Sequence, residues 1–246
     1  MDIFSQFFPN RTVRFAINFG NAVLAQRLDA EQATGISVQL AHTLCQNLGL
    51  TPQFVYYNSA GAVVADADKN RWDVAFLARD PMRTEHIAFT SPYVVIHGTY
   101  LVNTESDAQF VDDLDAQNKR ISVGKGAAYD LYLTRTLTQA SLVRAPTTPA
   151  AVDYFIEQNL DAAAGVRGPL LEFAKAHPDY RVLADNFMSI EQAVAFNRQY
   201  APLREALEAQ VQRFIQSGAA LKALAESGQC SAQVAPLNQD ANYTVL

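Results

Sequence analysis

Short apolar runs alternate with segments of helical period along the first part of the chain. Ile36, Leu40 and Leu44 recur at the spacing of an amphipathic helix, and Gly49 ends that helix. The other elements predicted here are strands at residues 13–17, 54–57 and 73–77 and a second helix at residues 60–69. This β-α-β-α-β order is typical of an α/β fold, in which helices cover a parallel sheet.

The alternation stops and then resumes in the second half of the chain. Residues 94–102 are rich in β-forming side chains and are divided by His97-Gly98, which predicts a strand, a turn and a strand. An acidic segment at residues 105–115 is predicted to lie on the surface. After it, the pattern predicts strands at 121–123, 142–144, 160–166, 180–183 and 193–196, and helices at 127–137, 148–158, 169–176, 203–216 and 220–226. A second α/β module therefore follows the first, and the tail from residue 229 has no clear period.

Composition excludes several classes of protein. The 246 residues are 49% hydrophobic and 18% charged, which excludes a disordered chain, a collagen-like fibre and a coiled coil. The 19 basic and 25 acidic residues give a net charge of −6, so no nucleic-acid partner is predicted. Cys45 and Cys230 fit neither a disulfide framework nor a zinc site, and the four histidines lack metal-binding spacing. No cofactor is predicted.

Localisation is left open by the sequence. The longest stretch without a charge, residues 87–104, contains several polar residues and does not predict a membrane span. Residues 1–15 lack the basic start and apolar run of a signal peptide. Two alternatives follow: a cytoplasmic protein that begins at Met1, or a trimmed form of an exported one.

Two α/β modules predict a ligand cleft between them, beyond the carboxyl ends of strands. Arg79 and Arg83 follow the predicted strand at residues 73–77. Arginine suits a carboxylate because its planar guanidinium donates two parallel hydrogen bonds. The alternative is that both arginines are solvated surface charges, paired with Asp80 and Glu85.

Three motifs in this region occur in a known order. Trp72-Asp73, then Arg83, then Phe89-Thr90-Ser91-Pro92-Tyr93 resemble family 3 of the bacterial extracellular solute-binding proteins, the amino-acid receptors of ABC transporters. The likeness extends over about residues 13–228. It implies a type II periplasmic binding protein fold with two crossover segments, lobe one being residues 1–97 and 189–246 and lobe two residues 98–188. It also implies a monomer that closes over a small anionic or zwitterionic ligand, with an ABC permease as a candidate partner and a periplasmic location if the chain is trimmed.

The resemblance also implies a set of site residues. The arginine that clamps the ligand carboxylate in this family falls on Arg83. The other candidate ligand-binding residues are Asn18, Phe19, Asn21, Ala78, Gly126, Ala127, Ala128, Tyr129 and Arg167. Alternatives remain for some of them: a plain turn at residues 18–21, a Tyr129 packed inside its lobe, and an Arg167 paired with Glu172 or another acid.

This chain departs from the family pattern where an amino group would bind. The acid that pairs with the ligand ammonium is expected near Gly165-Val166-Arg167, where there is no carboxylate. Ala127 and Ala128 also replace hydroxyl side chains. Because an unpaired buried ammonium is costly, we predict that organic or keto acids bind at least about tenfold more tightly than α-amino acids.

Two other functions remain as alternatives. Cyclohexadienyl dehydratases resemble the same family, and such a reaction needs a general acid, for which Glu172 and Glu191 are the nearest candidates. A ligand-sensing module without a transporter is the other. We predict a binding protein and not an enzyme.

Overall fold

The computed structural model describes residues 3–29 and 32–237. Its helices are α1 (Ile3–Phe7), α2 (Ile36–Leu48), α3 (Ala60–Ala65), α4 (Ala128–Thr136), α5 (Thr148–Glu157), α6 (Arg167–Ala176), α7 (Arg204–Gln216) and α8 (Ala219–Glu226). Its strands are β1 (Thr12–Asn18), β2 (Gln26–Arg27), β3 (Ala33–Thr34), β4 (Thr51–Tyr57), β5 (Val74–Ala78), β6 (Ile87–Asn103), β7 (Arg120–Gly124), β8 (Ser141–Ala145), β9 (Ala162–Val166), β10 (Tyr180–Val182), β11 (Met188–Asn197) and β12 (Gln233–Val234). Among the described residues, no helix has the length and apolar character needed to cross a membrane.

The chain forms two compact units. Unit 1 contains the described residues up to Val95 and from Glu191 onward, and unit 2 is Ile96–Ile190. The chain passes from one unit to the other twice, within β6 and within β11. Unit 1 is therefore discontinuous in the sequence, and β6 and β11 contain its two connections to unit 2.

Unit 1 is built on a sheet in which β1 pairs in parallel with β4 and β5, and β11 pairs antiparallel with β5. The apolar stripe of α2 is buried against this sheet, as the periodicity predicts. Gly49 ends α2 in the left-handed conformation (φ 62°), and the Leu50 N–H donates to the Cys45 carbonyl at 2.8 Å. This is the usual helix ending that glycine favours because it has no Cβ.

The Trp72-Asp73 pair is a structural element of unit 1. The indole Nε1 of buried Trp72 donates to the Val63 carbonyl at 2.9 Å. The Asp73 carboxylate accepts from Nη2 and Nε of Arg14 at 2.6 and 3.0 Å and from the Tyr200 hydroxyl at 2.8 Å. These contacts join the start of β5 to β1, to the end of α3 and to the 3₁₀ segment at residues 198–203.

Unit 2 has a sheet with the order β6-β9-β7-β8, and β10 pairs with the end of β6. β7 is parallel to β8 and β9, whereas β6 is antiparallel to β9. α5 packs against β7 and β9. Its N-cap is Thr147, whose side chain accepts the Ala150 N–H.

The predicted break at His97-Gly98 is wrong, because β6 is one continuous strand of 17 residues. A Cβ at Gly98 would lie 2.6 Å from the Phe187 ring, and the Phe187 N–H donates to the Gly98 carbonyl at 3.0 Å. The glycine makes room for an aromatic ring instead of forming a turn. The predicted helix at residues 60–69 also differs, since α3 ends at Ala65 and residues 67–69 form a 3₁₀ turn.

The structure also contains elements that the pattern did not predict, namely α1 near the N-terminus and the short strands β2 and β3. The tail includes β12, which pairs with Val94 and Val95 of β6. Residues 238–246 of the aperiodic tail lie outside the described residues.

Candidate functional site

Two candidate segments follow strands that end at one edge of the unit 1 sheet. β1 and β5 are parallel, so their last residues, Asn18 and Ala78, lie toward the same edge. Residues 19–21 follow the first strand and residues 79–83 follow the second. Open α/β sheets bind ligands at this edge.

Arg83 is the last residue of a 3₁₀ turn that starts after Asp80, whose side chain accepts the Met82 N–H at 2.9 Å. The residue is only 3% exposed, and its Nη1 donates to the Ala78 carbonyl at 2.9 Å. Burial lowers the pKa of Arg83 to about 10, and the charge of Asp80 acts in the opposite direction. The guanidinium therefore stays cationic at neutral pH although it is shielded from solvent.

The Arg79 side chain is only 6% exposed, so neither arginine is the solvated surface charge that the alternative interpretation described. Its Nη1 lies 3.3 Å from Glu191 Oε2, and its N–H donates to the Glu191 carbonyl at 2.9 Å. This places a basic and an acidic group together beside the end of β5.

The segment after β1 is a hydrogen-bonded turn. Asn18 Oδ1 accepts the Gly20 N–H at 2.9 Å, and Asn21 Oδ1 accepts the Val23 N–H at 3.2 Å. Both amide side chains thus stabilise the loop. The Phe19 ring packs against Tyr56 and carries the Arg27 guanidinium 4.2 Å from its centroid, a cation–π arrangement.

The corresponding edge of unit 2 is formed by the parallel strands β7 and β9, which end at Gly124 and Val166. Gly126 has φ 73° and donates its N–H to Asp130 Oδ2 at 2.8 Å. Arg144 Nε donates to the other oxygen of this carboxylate at 3.0 Å. Ala127 is the N-cap of α4 and Ala128 its first residue, and both are largely buried.

Tyr129 is the second residue of α4. It is buried, and its hydroxyl has no hydrogen-bond partner among the residues that the structure describes. Burial raises the pKa of Tyr129 to about 12, and the Thr148 side chain and the Gly124 backbone, both nearby, oppose the rise.

Arg167 binds a backbone segment of its own unit. Its Nη2 donates to the carbonyls of Leu183, Ala184 and Asp185, and its Nε donates to Asn186 Oδ1 at 2.7 Å. The alternative of an ion pair with Glu172 is wrong, because Glu172 pairs with Lys175 on the same helix. Burial lowers the pKa of Arg167, and Asp185 acts in the opposite direction. Nη1 donates to no residue within the described part of the chain.

Comparison with known proteins decides the family. The model of the bacterial extracellular solute-binding proteins, family 3, matches residues 20–227. The chain belongs to this family. It is thus a solute-binding protein, as the order of the motifs predicts. No curated protein sequence matches significantly.

Solved structures share the fold of this family 3 protein at low identity. The amino acid ABC transporter substrate-binding protein AbpA from Streptococcus pneumoniae, bound to L-arginine, is 22% identical, with a TM-score of 0.78 over 92% of this chain and 98% of that one. The cysteine-binding protein from Campylobacter jejuni is 20% identical, with a TM-score of 0.79 over 98% and 97%. The ancestral amino-acid-binding protein AncCDT-1, described as a precursor of cyclohexadienyl dehydratase, is 17% identical, with a TM-score of 0.75 over 92% and 98%. The predicted α/β type II binding protein fold is confirmed.

Several side-chain contacts near the ends of β1 and β7 in this solute-binding protein were not predicted from the sequence. Asp130 and Arg144 fix the Gly126 loop, and Arg27 lies over Phe19. Asp130 is the third residue of α4, where a carboxylate commonly binds free N–H groups, and that position is a signal that sequence reasoning can use. Arg27 has no such local signal. In the described residues, no group of three His, Cys, Asp or Glu side chains is placed to hold a metal ion.

Proposed function

We propose that this solute-binding protein binds a small organic acid, whose carboxylate pairs with Arg83, and closes over it for delivery to an ABC permease. The observation that carries the proposal is the position of Arg83. It is a buried cation directly after β5, held at the carboxyl edge of the sheet by the Ala78 carbonyl. A desolvated guanidinium binds a carboxylate strongly because water does not compete for its donors.

The groups that would meet a ligand amino group favour an organic acid over an amino acid. No acidic residue occurs from position 162 to 171, and buried Val166 ends β9. The Asp130 carboxylate is bound by Gly126 and Arg144, and Glu191 pairs with Arg79. An ammonium group would therefore have to take a carboxylate from an existing partner, at a cost in free energy.

Arg167 adds to this preference. Its contacts with residues 183–186 fix the guanidinium just after β9, and its charge repels a ligand ammonium. The Nη1 group is the part of this side chain that we propose for a second ligand anion or carbonyl oxygen. On this proposal, Phe19 contacts the apolar part of the ligand. Gly126, Ala127 and Ala128 line the other side of the site, where their small side chains are apolar and their backbone N–H groups are polar.

Binding, and not catalysis, is the activity that the structure supports. The family and most of the similar structures are binding proteins. Both candidate acids for a dehydratase are engaged, Glu172 with Lys175 at an exposed site and Glu191 with Arg79. A general acid must be free to donate its proton to the substrate, and each of these carboxylates is already paired with a basic side chain.

Thermal unfolding with matched ligands tests the proposal. Organic acids and keto acids should raise the melting temperature, by about 5–10 °C at a hundredfold excess over the dissociation constant, whereas their neutral primary amides should not. Small-angle scattering with the best acid should then show a smaller radius of gyration, because ligand favours a closed state. Equal shifts in melting temperature with the acid and its amide would show that the carboxylate is not recognised. An unchanged radius of gyration would refute closure.

A further inference from the structure

Unit 2 contains a cavity of about 310 Å³ that none of the proposed ligand-binding residues lines. It lies between the end of α4, the start of the 3₁₀ turn at residues 111–114 and the segment that precedes β11. Its polar and aromatic lining residues are Tyr100, Asp112, Asp115, Tyr132, Asp185 and Phe187. This volume is at the lower end of the range for small-molecule sites.

The cavity is strongly acidic. Asp115 accepts the N–H groups of Thr138, Gln139 and Ala140, which lowers its pKa to about 2, so it is ionised at neutral pH. Asp112 is an exposed residue at this cavity, and its carboxylate makes no hydrogen bond or ion pair within the described part of the chain. No Lys, Arg or His side chain is among the described residues that line the cavity.

The third acid, Asp185, is partly balanced. Its carboxylate accepts the Val111 N–H at 3.1 Å, while its backbone carbonyl accepts a hydrogen bond from Arg167. The Arg167 guanidinium also acts electrostatically on Asp185. Asp112 and Asp115 therefore carry most of the negative charge in this cavity that no positively charged side chain balances.

Tyr100 adds a polar hydroxyl group to the lining of this cavity. The residue is 1% exposed, and its hydroxyl has no hydrogen-bond partner among the described residues. It lies close enough to Asp115 and Asp112 for their charges to add to the effect of burial in raising its pKa. The hydroxyl is reachable from the cavity, so it can donate a hydrogen bond to a bound molecule or accept one from it.

Aromatic rings form the remaining wall. The Phe187 ring centroid lies 4.7 Å from that of Tyr100 and 6.1 Å from that of Tyr132, and the Tyr132 and Phe187 planes are within 16° of parallel. Aromatic faces beside carboxylates attract organic cations through the ring quadrupole and direct charge. Within the described residues the acids are not clustered as metal ligands, which favours an organic cation over a metal ion.

We propose that this acidic aromatic cavity is a second binding site, specific for a small organic cation with an ammonium or guanidinium group. The cation would donate to Asp112 and the Tyr100 hydroxyl and pack against the Tyr132 and Phe187 rings. The site has the opposite charge preference to the proposed Arg83 site. Its occupancy does not depend on the ligand of that site.

Titration of the full chain with methylguanidinium, followed by amide NMR, tests the inference. Saturable shifts are expected at Thr136, Asn186 and Phe187, and methylurea, which is similar in shape but neutral, should cause none. Asp112→Asn should raise the dissociation constant about fivefold or more, as expected for loss of a carboxylate partner of a cation. Asp107→Asn is the matched control, because Asp107 is an exposed acid of the same segment that does not line the cavity.

Arg83→Met separates this site from the proposed anion site, and it should leave methylguanidinium binding unchanged. The inference is overturned if methylguanidinium does not saturate, if methylurea binds equally, or if the Asp112 and Asp107 variants lose the same affinity. Loss of cation binding in an Arg83→Met variant that still unfolds cooperatively would also overturn it, since cation binding would then depend on the proposed anion site.

Discussion

Replacing Arg83 with methionine should weaken binding of the organic acid by about 2–5 kcal/mol, or roughly 30-fold to several thousandfold. The change removes the charge and the hydrogen bond to the Ala78 carbonyl but keeps a similar side-chain length. A ligand carboxylate would then be desolvated without a cation to compensate it. Isothermal calorimetry with the best-binding acid measures the loss.

Two further variants make this result specific. Arg83→Lys keeps the charge without the planar fork and should retain only part of the affinity. Arg71→Met removes an arginine of the same unit whose side chain is 67% exposed, and it should have no effect on binding. Each variant is first checked for cooperative unfolding, because Arg83 is buried. An unchanged affinity in folded Arg83→Met would remove this residue from the site.

Asp73→Ala should lower the free energy of unfolding by about 3–5 kcal/mol. The variant leaves the partly buried Arg14 guanidinium without its carboxylate and takes an acceptor from the buried Tyr200 hydroxyl. The Arg14 backbone N–H, which donates to Asp73 Oδ2 at 2.8 Å, loses its partner as well. Urea denaturation followed by circular dichroism gives the difference.

Glu172→Ala is the matched control for Asp73→Ala. It also breaks an ion pair between a carboxylate and a cation, but both side chains of that pair are 71% exposed. A solvated pair of this kind contributes about 0–1 kcal/mol. If Asp73→Ala costs no more than Glu172→Ala, the proposed structural role of the Trp72-Asp73 pair is incorrect.

The elements that the sequence predicts well are those whose signals are local. The apolar stripe of α2 and the glycine that ends it lie within fourteen residues, and both are present in the structure. His97-Gly98 was misinterpreted because the reason for the glycine, the Phe187 ring, is distant in the sequence. A glycine in a β-rich stretch indicates either a turn or a close approach, and only the tertiary contact distinguishes them.

In the candidate site, too, local sequence signals are predictable and long-range contacts are not. Arg83 is predicted as a site residue by its position after a strand and by the order of neighbouring motifs, which are local features. The contacts of Arg167 with residues 183–186 and of Arg27 with Phe19 depend on how distant or irregular segments pack, and no spacing predicts them. The motif residues Trp72, Asp73 and Tyr93 are buried in structural contacts, Tyr93 through a 2.8 Å hydrogen bond between its hydroxyl and Ser37 Oγ. Their contacts hold elements of unit 1 together.

The preference for an acid without an amino group is tested most directly by competition calorimetry with a 2-oxo acid and the L-amino acid of the same side chain. The two ligands differ only in the group for which residues 162–171 provide no carboxylate. The 2-oxo acid should bind at least about tenfold more tightly, a difference of about 1.4 kcal/mol. Tighter binding of the L-amino acid would contradict the account, because an acidic group of this chain would then have to pair with the ammonium.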